Sequence, residues 1–270
     1  MNNYEISPRK KGLSLTVKLI ILNVILYLIS LLLVAIYGEG FLLNNFALIP
    51  SNILSGKALW SILTCMFLHG SFFHLFANMF SLFFIGIFLE NIIGKKRFLL
   101  VYIFAGFLGG GFYILAGLIF GGVDVPAVGA SGAIFGLLGV LAVLIPFSRI
   151  YLIAGPLILI VAEVILLPSL PSGIAGVLSV LINILIFAMI FAILSPNSFF
   201  RKLAVPVELP MWLLPIVAIV PLSVIGFFVE LPIGNSAHFG GLVLGLIYGF
   251  YLRRKFPRKT SGLSRMFRGR

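Results

Sequence analysis

The sequence predicts an all-α, polytopic membrane protein. Hydrophobic residues make up 61% of the 270 residues, charged residues make up 10%, and the mean hydropathy is +1.22. Because a soluble domain carries about 25% charged residues, this composition leaves no room for a large soluble domain. A helix needs ~20 apolar residues to cross a bilayer core. Eight segments come near that length: residues 17–37, 72–91, 98–120, 131–147, 150–168, 173–195, 210–229 and 236–253.

The first segment follows a basic start, as a signal peptide would. Its apolar run extends from Leu19 to Tyr37 and has no Ala-x-Ala cleavage site. That run is too long for a signal-peptide core, so we predict an uncleaved first span. Cys65 is the single cysteine, which excludes an internal disulfide, and we interpret it as a small apolar residue.

The fourth segment is short. A helix from Ser131 to Phe147 covers about 25 Å at ~1.5 Å per residue, against a bilayer core of about 30 Å. The glycine-containing run at 121–130 that precedes it cannot be regular helix. We therefore predict that Ser131 begins a helix below the outer surface, where irregular backbone is tolerated only inside the protein or beside a water-filled cavity.

The fourth and fifth segments are separated by Phe147, Ser148 and Arg149 alone, and their combined length exceeds one span. Pro146 together with Arg149 predicts a turn between them. Two polar residues lie within the next hairpin, and we expect them to hydrogen-bond across it. An intramembrane proton or ion site is the alternative. These two residues are Glu163 in the fifth segment and Asn183 in the sixth.

The basic residues predict the orientation. With eight spans and both termini in the cytoplasm, every lysine and arginine of the 19 except Lys57 lies on the cytoplasmic side, as the positive-inside rule requires. A net charge of +12 could indicate nucleic-acid binding, but the chain has no folded basic domain that would bind a nucleic acid. We expect the basic tail at 254–270 to be solvated and to contact anionic membrane lipid.

All three histidines lie in two short patterns, and a third pattern holds a serine between glycines. A histidine in a membrane segment is a functional-site hypothesis by default, and a serine with a separate histidine supplies a nucleophile and a base. A serine hydrolase working inside the bilayer is therefore predicted. No Asp, Glu or Cys joins these residues, so no metal site is predicted. The patterns are His69-Gly-Ser-Phe-Phe-His74-Leu-Phe-Ala-Asn78, Gly129-Ala-Ser131-Gly132 and Ala237-His238-Phe239-Gly240-Gly241.

In this order, the three patterns resemble those of the rhomboid intramembrane serine proteases. Trp60 with Thr64, and Glu90 with Gly94, extend the similarity. The resemblance covers most of residues 15–147 and 205–253. It implies a single membrane domain over 1–270 with a six-helix core, and substrates that are transmembrane segments of other proteins, cleaved near the outer face. It implies no cofactor.

The resemblance assigns Ser131 as nucleophile and His238 as general base. The sequence agrees with a dyad, because no carboxylate neighbours His238 within its helix and Asp124 fits a solvated loop charge. The oxyanion would be stabilised by the free N–H of Ser131 at the helix start and, by the resemblance, by His69 and Asn78. For His74 a hydrogen-bonding role, a water-holding role and direct catalysis stay open.

Small residues recur every four positions along the last segment. Such a face lets helices approach closely, and this approach would bring His238 to a serine on another helix. Gly132 and Gly136 are candidates for the opposing face, and Gly129 precedes the serine. The repeating residues are Ala237, Gly241, Gly245 and Gly249.

Two features depart from the family's common pattern. Three segments, not one, separate the serine helix from the histidine helix, which predicts an inserted helical hairpin at 150–195. Ser61 follows Trp60 where a basic or amide residue is common.

Glu90, just before three basic residues, is predicted to pair with them. The alternatives to a protease are a catalytically inactive rhomboid-like protein that binds membrane clients and a transporter or channel.

Overall fold

The computed structural model of the chain describes residues 12–192, 195, 197–226 and 234–267. Two short strands, β1 (Arg149–Ile153) and β2 (Pro206–Pro210), accompany the helices. A π-helical turn, Leu82–Gly86, joins α5 to α6. The helices are α1 (Leu15–Tyr37), α2 (Glu39–Phe46), α3 (Pro50–Leu54), α4 (Ser61–Thr64), α5 (Phe72–Ser81), α6 (Ile87–Ile93), α7 (Lys95–Phe120), α8 (Ser131–Leu144), α9 (Ala154–Leu166), α10 (Ser172–Ala192), α11 (Ser198–Leu203), α12 (Leu214–Gly226), α13 (Asn235–Lys255) and α14 (Pro257–Met266).

The expected all-α membrane fold is confirmed, since each of the predicted segments contains a helix. Within the described residues, four helices are long and apolar enough to cross a membrane: Leu15–Tyr37, Phe72–Ile93, Lys95–Phe120 and Ser172–Ala192. Helix α8 is short, as predicted, with 14 residues. Some residues used for the orientation lie outside the described part of the chain, namely Arg9, Lys10, Lys11, Arg268 and Arg270, as does the end of the seventh segment at 227–229.

The fifth segment differs from its prediction. Residues 150–168 were expected to be helical throughout, but the first part is β1, which pairs antiparallel with β2. Tyr151 lies opposite Glu208, and Arg149 forms an ion pair with Glu208 at 3.2 Å. Branched and aromatic side chains favour the extended conformation. The pairing of the two strands also provides hydrogen-bond partners for the backbone N–H and C=O groups at the base of the hairpin. Helix α9 is consequently only 13 residues long.

Glu90 holds the start of α1, which corrects its predicted pairing with the basic residues that follow it. Its carboxylate accepts hydrogen bonds from the backbone N–H of Leu15 at 2.9 Å and of Thr16 at 2.8 Å, and from the Thr16 hydroxyl at 2.8 Å. The first N–H groups of a helix lack internal partners, and a negative charge there interacts favourably with the helix dipole. Glu90 therefore ties α6 to α1.

Helix α8 lies at the centre of the molecule, packed mainly against α7 and α13. It is buried on nearly every side from Gly132 to Leu144, as a helix that is apolar all round should be. Its contact with α13 is made by backbone atoms. A Cβ added at Gly241 would overlap the carbonyl oxygen of Gly132, and one at Gly245 would overlap that of Gly136. The opposing faces are therefore those that the glycine spacing predicts.

The helical hairpin α9–α10 is held together by side-chain hydrogen bonds. Glu163 accepts hydrogen bonds from the Ser179 hydroxyl and from Asn183 Nδ2, the latter at 3.4 Å. The predicted contact of Glu163 with Asn183 is thus present, and Ser179 is an additional partner that the sequence did not reveal. Because these groups satisfy one another, Glu163 has a structural role that requires no proton or ion pathway.

Helix α10 also contacts α5 through phenylalanine rings. The ring centroid of Phe187 lies 4.7 Å from that of Phe76 and 6.4 Å from that of Phe73. Phe191 stacks on Phe76 at 5.9 Å. These four residues are called the phenylalanine cluster below. The hairpin thereby packs against the helix that carries His74 and Asn78.

Candidate functional site

Ser131 is the first residue of α8, and the backbone before it has a conformation that needs glycine. Gly129 has φ of +126°, a region that residues with a Cβ rarely adopt. The N–H of Gly129 donates to the carbonyl of Cys65 at 2.8 Å, which fixes this turn to the loop before α5. Among the described residues, the N–H of Ser131 has no hydrogen-bond acceptor, as expected at a helix start.

His238 reaches the serine from α13. Its Nε2 lies 2.7 Å from Ser131 Oγ, a hydrogen-bond distance. The imidazole stacks on the ring of Phe135 with centroids 4.5 Å apart and an interplanar angle of 19°. Nδ1 of His238 has no hydrogen-bond partner within the described residues. The ring is therefore held by stacking on one face and by the serine at one nitrogen.

The close approach of three helices places His238. The carbonyl oxygen of Ala237 lies 2.7 Å from an added Cβ at Gly109 and 3.4 Å from one at Gly132. A side chain at Gly109 of α7 would thus push α13 away. Of these residues, Gly132 was predicted from the sequence, whereas Gly109 and Phe135 were not. The available signal for Phe135 was its spacing of four residues from Ser131, which places both on one face of α8.

His74 lies between the serine turn and His69. A Cβ on Gly129 would lie 2.8 Å from Nε2 of His74 and 3.8 Å from Ser131 Oγ. The rings of His74 and His69 meet edge to face with centroids 5.1 Å apart. The predicted cap of α5 is present, since the hydroxyl of Ser71 accepts from the N–H of His74 at 3.1 Å. All three histidines are therefore gathered near one serine.

His69 is buried, and neither of its ring nitrogens has a hydrogen-bond partner within the described residues. Burial lowers the pKa of His69 to about 3, and the neighbouring His74 adds to this decrease. His69 is therefore neutral at physiological pH and carries one N–H donor. A buried polar group without a partner costs free energy, so this residue is a candidate for receiving a ligand atom.

Asn78 is buried in α5 one turn after His74. Its Nδ2 donates to the carbonyl of His74 at 2.9 Å, which leaves the second hydrogen of the amide free. Among the described residues, no hydrogen bond joins Asn78 or His69 directly to Ser131. The structure thus brings the predicted pair of Ser131 and His238 into contact and leaves the two predicted oxyanion donors on a neighbouring element.

The described residues contain no group of three or more His, Cys, Asp or Glu side chains that could hold a metal ion. What the arrangement offers is a hydroxyl in contact with an imidazole, beside a helix N-terminus. Such a pair can activate the hydroxyl as a nucleophile.

A family model described as the Rhomboid domain matches residues 56–183 and 182–255. The chain belongs to the rhomboid family. Among curated relatives, this rhomboid is 44% identical over 93 residues to RHOMBOID-like protein 1 of Arabidopsis thaliana, covering 34% of this chain and 23% of that protein. It is 43% identical over 91 residues to YdcA of Bacillus subtilis (strain 168), and this match covers 33% of this chain and 43% of that protein.

One relative carries a different description. The rhomboid is 38% identical over 92 residues to a protein named Inactive RHOMBOID-like protein 8 of Arabidopsis thaliana, covering 32% of this chain and 25% of that protein. In each of these comparisons the match spans less than half of the relative's length. The family assignment thus supports either an intramembrane protease or an inactive rhomboid-like protein in a helical, multi-pass membrane fold.

Proposed function

We propose that this rhomboid is an intramembrane serine endopeptidase that cleaves transmembrane segments of membrane proteins. Ser131 is the nucleophile and His238 the general base. The observation that carries the proposal is the 2.7 Å contact between His238 Nε2 and Ser131 Oγ. At that distance the imidazole can accept the hydroxyl proton as Oγ attacks a peptide carbonyl, and can return it to the leaving amine.

The dyad requires no third residue. Nδ1 of His238 has no partner within the described residues, and the stacked ring of Phe135 supplies the orientation that a carboxylate gives in a triad. Phe135 lies within the same helix as Ser131, so the serine and the orienting ring move together.

The negative charge of the tetrahedral intermediate needs hydrogen-bond donors. The N–H of Ser131 is one, since it begins α8. His69 and Asn78 supply the others, with His74 placed to support them, because His69 has two ring nitrogens without partners and Asn78 has one amide hydrogen free. Binding of the oxyanion would satisfy groups that are otherwise left unpaired.

The substrates are transmembrane segments that unwind near the outer face. A peptide carbonyl in a lipid-embedded helix is engaged in the helix and cannot be attacked. Gly or Pro near the cleavage point lowers the cost of unwinding, by about 1 kcal/mol for Gly and about 3 kcal/mol for Pro.

The chain is proposed to be one membrane domain with core 15–147 and 205–253, hairpin 150–195 and basic tail 254–270. Both termini are placed in the cytoplasm by the distribution of basic residues. Reporter fusions after Lys202 and after Arg253 should both report a cytoplasmic location, and a fusion near Pro171 an external one. An external report after Lys202 would remove one span from the proposed hairpin.

The experiment for the activity uses purified protein in detergent and a model transmembrane substrate. Wild type and Ser55→Ala, an exposed serine away from the site, should cleave it equally. Ser131→Ala should show background turnover only. Cleavage by Ser131→Ala at the wild-type rate would remove Ser131 from the mechanism.

The second candidate is an inactive rhomboid-like protein that binds membrane clients, and the similarity to Inactive RHOMBOID-like protein 8 favours it. The same experiment separates the two functions. If the wild-type protein retains the substrate segment in a pull-down but produces no cleavage, the inactive function is the correct one.

A further inference from the structure

A cavity of about 150 Å³ lies at the opposite end of α8 from Ser131. It is a half-open cleft bordered by the end of α6, the start of α7, the ends of α8 and α13, and by α14. Part of its lining is aliphatic and is formed by Ile92, Ile93, Leu144, Leu252 and Leu263.

Two cations, Arg97 and Lys259, are part of the same lining. The Arg97 guanidinium lies over the ring of Phe256 at 4.9 Å from the centroid, which restricts its position. Thr260 also lines the cavity, but its hydroxyl already donates to the carbonyls of Phe256 and Pro257. The polar groups left for a ligand in this lining are therefore positively charged.

No carboxylate within the described residues neutralises these cations, since the ion pair found there joins Arg149 to Glu208. The sequence at 91–97 and 253–259 contains six basic residues besides Arg97 and Lys259, and it contains no acidic residue. Glu90, the nearest acidic residue along the chain, is engaged by the start of α1. The cavity thus has an unbalanced positive charge.

We propose that this cavity binds the phosphate headgroup of an anionic membrane lipid. Arginine and lysine are the side chains that bind phosphate oxygens by charge-assisted hydrogen bonds. Basic pockets between the cytoplasmic ends of transmembrane helices suit such headgroups. The proposed ligand is a lipid and not a free phosphate, because the apolar side chains of the lining add a surface for an acyl chain, which an inorganic anion cannot use.

The amphipathic helix α14 fits this function. It begins directly after the end of α13, and its residue Leu263 packs against the core of the membrane helices. Lys259 lies one turn earlier on the same face. A lipid bound here would join α14 to the start of α7, and this inference does not depend on the proteolytic activity.

The test measures lipid binding to the purified full chain by native mass spectrometry. Phosphatidylglycerol and phosphatidylcholine with identical acyl chains are compared, with inorganic phosphate as a separate arm. The double variant Arg97→Gln/Lys259→Gln removes both cations. Because both residues are exposed, their replacement should not unfold the protein. The matched control, Arg201→Gln/Lys202→Gln, removes the same charge from exposed residues away from the cavity.

Wild type and the control should bind phosphatidylglycerol with equal affinity and well above phosphatidylcholine. The cavity variant should lose roughly 25-fold in affinity, about fivefold per cation. An equal loss in both variants would show that general surface charge attracts the lipid. Unchanged binding by the cavity variant, or equally tight binding of inorganic phosphate, would also overturn the proposal.

Discussion

The pair α8–α13 and the hairpin α9–α10 are both formed by apolar helices, but different atoms make their contacts. Between α8 and α13, glycines bring the two backbones together, and the carbonyls of Gly132 and Gly136 face Gly241 and Gly245. Within the hairpin, side chains make the contact, with Glu163 accepting from two neighbours. The contact between α8 and α13 is made by backbone atoms, which cannot change rotamer, whereas the contact within the hairpin is made by side chains, which can.

This difference matches what each pair must position. A hydrogen bond between side chains of different helices tolerates errors of only a few tenths of an ångström. A backbone contact sets the spacing of α8 and α13 more rigidly than side chains can, and thus sets the distance from His238 to Ser131. The hairpin carries none of the proposed catalytic residues, so its packing is free of that constraint.

The largest expected effect comes from Gly241→Ala. The new methyl group would overlap the carbonyl of Gly132, so α13 must move away and the contact between Ser131 and His238 must break. We expect turnover at background and a loss of about 3 kcal/mol in stability, at the upper end for overpacking. The control is Gly176→Ala in α10, where an added Cβ meets nothing within 4 Å. It should be neutral or slightly stabilising. Equal damage from both changes would contradict the comparison.

The second effect concerns the two proposed oxyanion donors, Asn78 on α5 and His69 just before it. Asn78→Ala removes one proposed oxyanion donor, for which a decrease in kcat of about 10²–10³ is typical. His69→Ala should resemble it, and the double variant should lose more than either. The melting temperature should change little, because the site is polar. Full activity of Asn78→Ala with a large drop in melting temperature would instead show that Asn78 braces α5 through its bond to the carbonyl of His74.

The third prediction tests whether the hairpin contributes to stability but not to catalysis. Glu163→Leu leaves Ser179 and Asn183 without their shared acceptor, which should cost about 1 kcal/mol, as for hydrogen bonds between membrane helices. Glu163→Gln keeps an acceptor and should lose less. Turnover, measured with saturating detergent-solubilised substrate, should remain within about twofold of wild type for both variants. A loss of turnover comparable to that of Asn78→Ala would mean that the hairpin takes part in the site.

The smallest effect is that of the phenylalanine cluster. In a bilayer, removing apolar surface from a helix contact loses packing but little hydrophobic transfer energy, because lipid is equally apolar. Phe187→Ala should therefore cost only about 0.5 kcal/mol, the low end of the range for an aromatic pair. Leu185→Ala, at an exposed position of the same helix, is the control and should cost less. The two melting temperatures give the comparison.

The parts of the fold that follow from local patterns could be predicted from the sequence. Apolar length located each helical segment, the run at 121–130 indicated the short α8, and the four-residue glycine spacing predicted which faces of α8 and α13 meet. Resemblance to a family selected Ser131 and His238 as partners, and the structure brings these two side chains together across 107 positions.

Contacts between distant segments could not be predicted in this way. Pairing of β1 with β2 joins segments on either side of the hairpin, and nothing in residues 149–153 alone indicates a partner. Glu90 was expected to pair with the adjacent basic residues, but the unsatisfied N–H groups of α1 attract it more strongly. The stacking of Phe135 on His238 depends on the spacing of two helices, which becomes known only once they are packed.

The central claim is that His238 makes Ser131 nucleophilic inside the membrane domain. The direct measurement is the rate at which a fluorophosphonate probe labels the purified protein, with the labelled residue identified by peptide mass spectrometry. We predict labelling of wild type at Ser131, background labelling of Ser131→Ala, and a rate for His238→Ala lower by at least 10²-fold, as for loss of a general base. Equal labelling of wild type and His238→Ala, or labelling at another serine, would contradict the account.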